Sequence, residues 1–156
     1  MDMIKKKWIK IFAGVLFTVF LMYLMIYIDV VLRARSAYLE GEKYWQWYEN
    51  PSKKQLDLQK EFEAEKQKLD KQLLKNKITK QDYDRELEII KFNYEQKLQE
   101  SSIKYAYIWY QTAVELFSPP ESKWVRLSRK KMPIAKEKWK EELRKKGIQF
   151  EDYMLD

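Results

Sequence analysis

Two pairs of carboxylates stand at helical spacing and have the residue types for acid–base chemistry. Asp82 and Glu86, and likewise Glu137 and Glu141, are four residues apart, which places both acids of each pair on one face of a helix. General acid–base catalysis needs such groups with pKa values tuned to the reaction. Lysines surround both pairs, and a chain with 35% charged residues contains this spacing by chance. We therefore expect no catalytic residue.

Histidine and cysteine are both absent from the 156 residues. Structural zinc sites, iron–sulfur clusters, His- or Cys-ligated haem, thiol nucleophiles and histidine-based proton transfer each require one of these residues. An all-oxygen calcium or magnesium site stays compatible with the composition. The sequence also has no glycine-rich phosphate loop. It predicts a protein that is not an enzyme, with no cofactor, no metal and no small-molecule substrate.

Aromatic residues are concentrated in two blocks, YWQWY at residues 44–48 and YAYIWY at residues 105–110. Each ring buries about 150–250 Å², which is enough to hold two helices together. An antiparallel hairpin that turns between residues 77 and 78 brings position 45 to position 110. We expect the blocks to pack on each other; a belt of rings among lipid headgroups is the alternative. The residues predicted to pack within the chain or on a partner are Tyr44, Trp45, Trp47, Tyr48, Tyr105, Tyr107, Trp109, Tyr110, Val114 and Phe117.

The N-terminal part of the chain has the features of a membrane anchor. Residues 11–28 are 18 consecutive uncharged residues, and a helix of that length covers about 27 Å of the roughly 30 Å hydrocarbon core. A secretory signal peptide is the alternative, but its apolar run is usually only about 7–15 residues long. We predict a basic cytoplasmic tail (residues 1–10) and a transmembrane helix (residues 11–32), with the remaining chain outside the cytoplasm because four lysines in the tail oppose translocation.

The rest of the chain is predicted to be helical as well. Residues 33–50 form an aromatic stem, and residues 51–117 form an antiparallel, coiled-coil-like hairpin with helices from Pro51 to about Lys75 and from Lys80 to about Phe117. Between residues 52 and 100 there are 12 basic and 11 acidic residues. This balance is typical of a solvated helical hairpin and argues against nucleic-acid binding there. The predicted fold class is all-α.

Residues 118–156 form a basic C-terminal segment, in which Pro133 is expected to open a short helix that ends at Gly147. From residue 123 to residue 146 there are 11 Lys or Arg and three Glu, a net charge of +8. Three interpretations stay open: a solvated lysine-rich face, adsorption to anionic lipid with Trp124 and Trp139 as interfacial rings, and docking on an acidic protein. The candidate docking residues are Lys123, Trp124, Arg126, Arg129, Lys130, Lys131, Trp139 and Arg144.

The segment around residues 103–117 is apolar on two sides of a helix, which is more surface than the remaining chain is expected to cover. The leading hypothesis is therefore a non-catalytic, single-pass accessory or scaffold subunit of a larger membrane complex. Its partners would be other membrane protein subunits and membrane lipid. The alternative is a self-assembling coiled-coil spacer or tether in the cell envelope, with a second copy of the chain as partner.

Overall fold

Five α-helices and one short 3₁₀ helix make up the regular structure of the described residues. The computed structural model describes the backbone of residues 2–155 and the side chains of residue 8 and residues 12–155. The helices are α1 (Asp2–Glu49), α2 (Pro51–Leu74), α3 (Lys80–Gln99), α4 (Ser102–Glu115) and α5 (Lys123–Lys145), and the 3₁₀ helix covers Asp152–Leu155. No strand occurs within residues 2–155, so the predicted all-α fold is confirmed.

Helix α1 joins the predicted anchor and the aromatic stem in 48 continuous residues. Its part from Phe12 onward is long and apolar enough to cross a membrane, and none of its apolar window is buried within the chain. At the end of this apolar span, the Arg33 Nε donates to Asp29 Oδ2 at 2.7 Å, as the four-residue spacing predicts. The tail lysines Lys5, Lys6, Lys7 and Lys10 have side chains outside the described part of the chain.

Helices α2 and α3 form the arm, a hairpin with the predicted starts and turn. Asn50 accepts a hydrogen bond from the amide of Lys53, and Pro51 occupies the first helical turn. In the turn, Asn76 has a φ of 51°, the left-handed geometry that ends a helix. Thr79 then caps α3 by accepting from the amide of Asp82 at 3.1 Å. The two helices pack through apolar side chains, with the rings of Phe62 and Tyr94 5.3 Å apart, whereas coiled-coil supercoiling stays a prediction.

The prediction of one helix from residue 80 to residue 117 is wrong, because the chain breaks at Glu100, whose ψ is 142°. The Lys54 ammonium on α2 donates to the carbonyl oxygens of Leu98 and Glu100 at 3.1 and 2.6 Å. It thereby satisfies carbonyls that have no partner at the end of a helix. Ser101 caps the new helix α4 by accepting from the amide of Lys104. The break lets α4 turn away from α2 and pack on α1.

The predicted start of the last helix at Pro133 is also wrong. Helix α5 begins at Lys123, where the Ser122 side chain accepts from the amide of Val125, and Pro133 lies inside its 23 residues. A proline inside a helix removes one hydrogen bond and costs roughly 3 kcal/mol. Packing of α5 against α4 and α1 offsets this cost. The helix ends as predicted, before Gly147 with its φ of 68°.

The stem of α1 (residues 33–49), α4 and α5 form a three-helix bundle. Helix α4 runs antiparallel to the stem, because Tyr105 packs on Tyr44 and Tyr110 lies near Tyr38. Helix α5 runs parallel to the stem and so leads away from the apolar span. The helices approach closely on small buried residues: Ala34, Ala37, Ala106, Ala113 and Ala135 are all at most 2% exposed.

Candidate docking surfaces

The structure brings the two aromatic blocks together at the stem. Tyr44 stacks on Tyr105 with ring centroids 5.3 Å apart, and Trp45 lies 6.5 Å from Tyr110. Trp47 has a different partner, since its indole Nε1 donates to Asp57 on α2 at 2.9 Å. Tyr48 packs beside the same cluster, partly buried. Most of the ring area in YWQWY therefore joins helices of this chain to one another.

A carboxylate beneath these rings links all three helices of the bundle. The Tyr110 hydroxyl donates to Glu42 Oε1 at 2.6 Å, and the Lys131 ammonium donates to both Glu42 oxygens at 2.6 and 2.7 Å. Burial raises the pKa of Tyr110, and the hydrogen bond to Glu42 raises it further, so the phenol stays a proton donor. Sequence reasoning missed Glu42 because nothing in its spacing distinguishes it from a solvated acid.

Gly41 is the second residue of this junction that sequence reasoning missed. A Cβ atom at this position would lie 2.6 Å from Tyr110 Cε1 and 2.8 Å from Cδ1. The tyrosine ring therefore lies directly on the backbone of α1, and no larger side chain fits between them. A glycine inside a helix is the one available signal, because it costs helix stability and often has a packing reason.

The remaining predicted packing residues divide between core and surface. Tyr107 is buried and lies 5.7 Å from Trp139 of α5, ring to ring. Val114 is partly exposed. Trp109 and Phe117 line an open groove of about 270 Å³ beside the end of the apolar span. Its other lining residues are Leu32, Arg33, Ser36, Ala37 and Thr112. Next to the groove, Leu116 is 71% exposed.

The predicted basic docking surface is not one surface. Trp139 lies in the core and is only 9% exposed, so it does not supply the interfacial ring that the lipid-adsorption interpretation would require. Lys131 points inward to Glu42, and Trp124 packs on Tyr38 with centroids 5.6 Å apart. The candidates that stay exposed are Lys123, Arg126, Arg129, Lys130 and Arg144. These lie along the outer face of α5.

One acid of each candidate acid–base pair is held in a local ion pair. Asp82 accepts from the Thr79 hydroxyl at 2.7 Å and pairs with Arg85. The Thr79 hydrogen bond lowers the pKa of Asp82, whereas a general acid at neutral pH needs a raised one. Glu137 pairs with Lys140 at 3.1 Å. In the described part of the chain, no group of three or more acids is arranged to hold a metal ion.

Comparisons with known proteins add no functional information. No family model, no curated protein and no solved structure matches the chain. Function has to be inferred from the surfaces that the fold leaves open. These are the apolar span, the end of the bundle with the groove and Leu116, the outer face of α5, and the arm.

Proposed function

We propose that the protein is a non-catalytic, single-pass subunit that docks into a larger membrane protein complex. The observation that carries this proposal is the bare apolar span of α1, whose side chains no other part of the described chain covers. Exposed apolar surface of this length is stable only against lipid or the helices of a partner. The span continues into the stem without a break, so a partner that binds the span also fixes the direction of the bundle.

The arm supplies a second attachment surface. Phe92 is 64% exposed and Ile89 is 46% exposed, three residues apart on one side of α3. Large apolar side chains that cluster outside the core are typical of interaction sites. The orientation that fits the lysine tail places residues 1–10 in the cytoplasm and the bundle and arm outside it. In that arrangement the arm, about 30 Å long along α3, lies outside the cytoplasm. Its helix α2 folds back beside the stem, where Lys43 pairs with Glu61 at 3.9 Å, and α3 is left open to other envelope components.

Purification of the tagged full chain in mild detergent tests this function. We expect defined membrane subunits to remain bound in constant ratio. Washing at high salt would release partners held by the basic face of α5 and retain those held by apolar contacts. Phe92→Glu should remove an arm partner, while the matched exposed change Gln96→Glu on the same helix should retain it. A lone, folded, monodisperse monomer in every condition contradicts the proposal.

A self-assembling spacer or tether is the second candidate, favoured by the same exposed pair on α3. Two copies that meet through Ile89 and Phe92 would cover both faces at once, as in a coiled-coil interface. The chain has no cysteine, so Asn76→Cys places a single thiol at the tip of the arm. Oxidative cross-linking in native membranes separates the candidates: dimers of this chain support the spacer, and adducts with other proteins support the accessory subunit.

A further inference from the structure

One end of the bundle lies level with the end of the apolar span. The groove joins Leu32, the last residue of the span, to Phe117 in the α4–α5 loop. On the other side of α1, Trp124 lies beneath the Arg35 guanidinium at 5.7 Å. Since α1 is one continuous helix, these contacts place the α4–α5 loop and the start of α5 beside the point where the chain leaves the span.

This end of the bundle carries side chains suited to a membrane surface. Leu116 projects into solvent with 71% of its surface exposed. Trp109 and Trp124 are partly exposed at the same end, and tryptophan favours the boundary between hydrocarbon and headgroups. Arg35, Lys123 and Arg126 are exposed cationic residues at this end. Arg33 pairs with Asp29, and the exposed acids there are Glu115 and Glu121, of which Glu121 pairs with Arg129. An exposed apolar residue together with aromatic and basic groups at one end of the bundle suits the layers of an anionic bilayer surface.

We propose that this end of the bundle binds the surface of an anionic bilayer. Leu116 enters the headgroup layer, and Lys123 and Arg126 pair with lipid phosphates. The inference rests on the crossing of the membrane by α1, which is part of the proposed function. That crossing is also the reason for choosing lipid over an acidic protein, because the rigid helix holds this surface against the bilayer in every copy of the protein.

Depth measurement on the full chain in lipid nanodiscs tests the inference. Leu116→Cys provides the only thiol in the chain and carries a nitroxide label. Ile134→Cys is the matched control, since Ile134 is 51% exposed on the same bundle. It lies about 16 Å along α5 from the start of that helix at Lys123. In discs of phosphatidylcholine with phosphatidylglycerol, we expect a several-fold higher ratio of oxygen to aqueous nickel-chelate accessibility at position 116 than at position 134.

Charge reversal distinguishes lipid binding from mere proximity. Lys123→Glu with Arg126→Glu should return the label at position 116 to an aqueous accessibility ratio in anionic discs. Arg144→Glu with Lys145→Glu, at the far end of the same helix, should leave the ratio unchanged. Anionic lipid should also increase the ratio above its value in pure phosphatidylcholine.

Three results would overturn the inference. The label at position 116 could be as exposed to nickel as the control in both lipids. It could be protected without any dependence on lipid charge or on the reversed residues. It could stay aqueous while the reversal of Lys123 and Arg126 releases an acidic protein, which would make the surface a protein site. Loss of co-purifying subunits with a lipid-protected label would instead refute only the proposed function.

Discussion

The close approach of Tyr110 to Gly41 gives the sharpest test of the bundle. Gly41→Ala places a methyl group 2.6 Å from Tyr110 Cε1, whereas carbon atoms prefer separations of about 3.5–4.0 Å. The ring cannot move aside easily, because it is fully buried and its hydroxyl is bonded to Glu42. Either the rings around Tyr110 must repack or helices α1 and α4 must separate.

Two opposing free-energy contributions determine how much Gly41→Ala changes the stability of the bundle. Alanine is more favourable than glycine inside a helix by about 1 kcal/mol. Overpacking of a well-packed core costs about 1–3 kcal/mol and occasionally more. An overlap of about 1 Å with a buried aromatic ring belongs at the upper end of that range. We therefore expect Gly41→Ala to lower the free energy of unfolding by about 1–2 kcal/mol. For a domain of about 60–100 residues, such as the bundle, each kcal/mol lowers Tm by roughly 4–8 °C.

Thermal unfolding of the full chain in detergent, followed by near-UV circular dichroism of the packed aromatic rings, measures this change. Gly14→Ala is the matched control, because a Cβ atom there meets nothing within 4 Å, and it should leave the transition in place. In a Tyr110→Ala background the ring is gone, so Gly41→Ala should become neutral or stabilising. A wild-type Tm for Gly41→Ala, or an equal penalty in both backgrounds, refutes the close approach.

Three further predictions concern single side chains. Tyr110→Phe keeps the ring but removes the hydrogen bond to the Glu42 carboxylate, and it should lower the free energy of unfolding by about 1.5–3 kcal/mol in the same assay. Lys54→Met leaves the carbonyls at the end of α3 unpaired, so amide hydrogen exchange around residues 98–102 should accelerate; unchanged exchange contradicts the capping role. Burial raises the pKa of Glu142, but the hydrogen bonds from Lys146 and Ser101 outweigh burial and leave it below the ordinary value of 4.5. Because this pKa is lower in the folded than in the unfolded chain, the ionised carboxylate stabilises the fold at pH values above the ordinary pKa. This stabilisation is lost as the pH falls through the folded-state pKa. Glu142→Gln should therefore lose less Tm on acidification than wild type, and parallel pH profiles would contradict this assignment.

Local features of the structure follow from the sequence alone. The span, the start at Pro51, the turn at Asn76, the cap at Thr79 and the stop at Gly147 each depend on residues within one or two helical turns. The contact between the aromatic blocks was predictable too, because an antiparallel hairpin constrains which residue numbers meet. Because the sequence contains no His and no Cys, zinc sites and thiol nucleophiles built on these residues are excluded in any fold.

Tertiary contacts decided what local signals left open. The local sequence around Glu100 predicts a continuous helix. The helix ends there because Lys54, 46 residues earlier in the chain, donates to the Glu100 carbonyl oxygen. The sequence left Trp139 open as an interfacial ring, but in the fold Trp139 packs on Tyr107 in the core. Glu42 gains its role only when α4 and α5 lie on the stem together. Helix caps involve neighbouring residues, so their energies can be assigned from sequence; a buried ring or ion pair depends on which faces of distant helices meet, and only the packed fold specifies those faces.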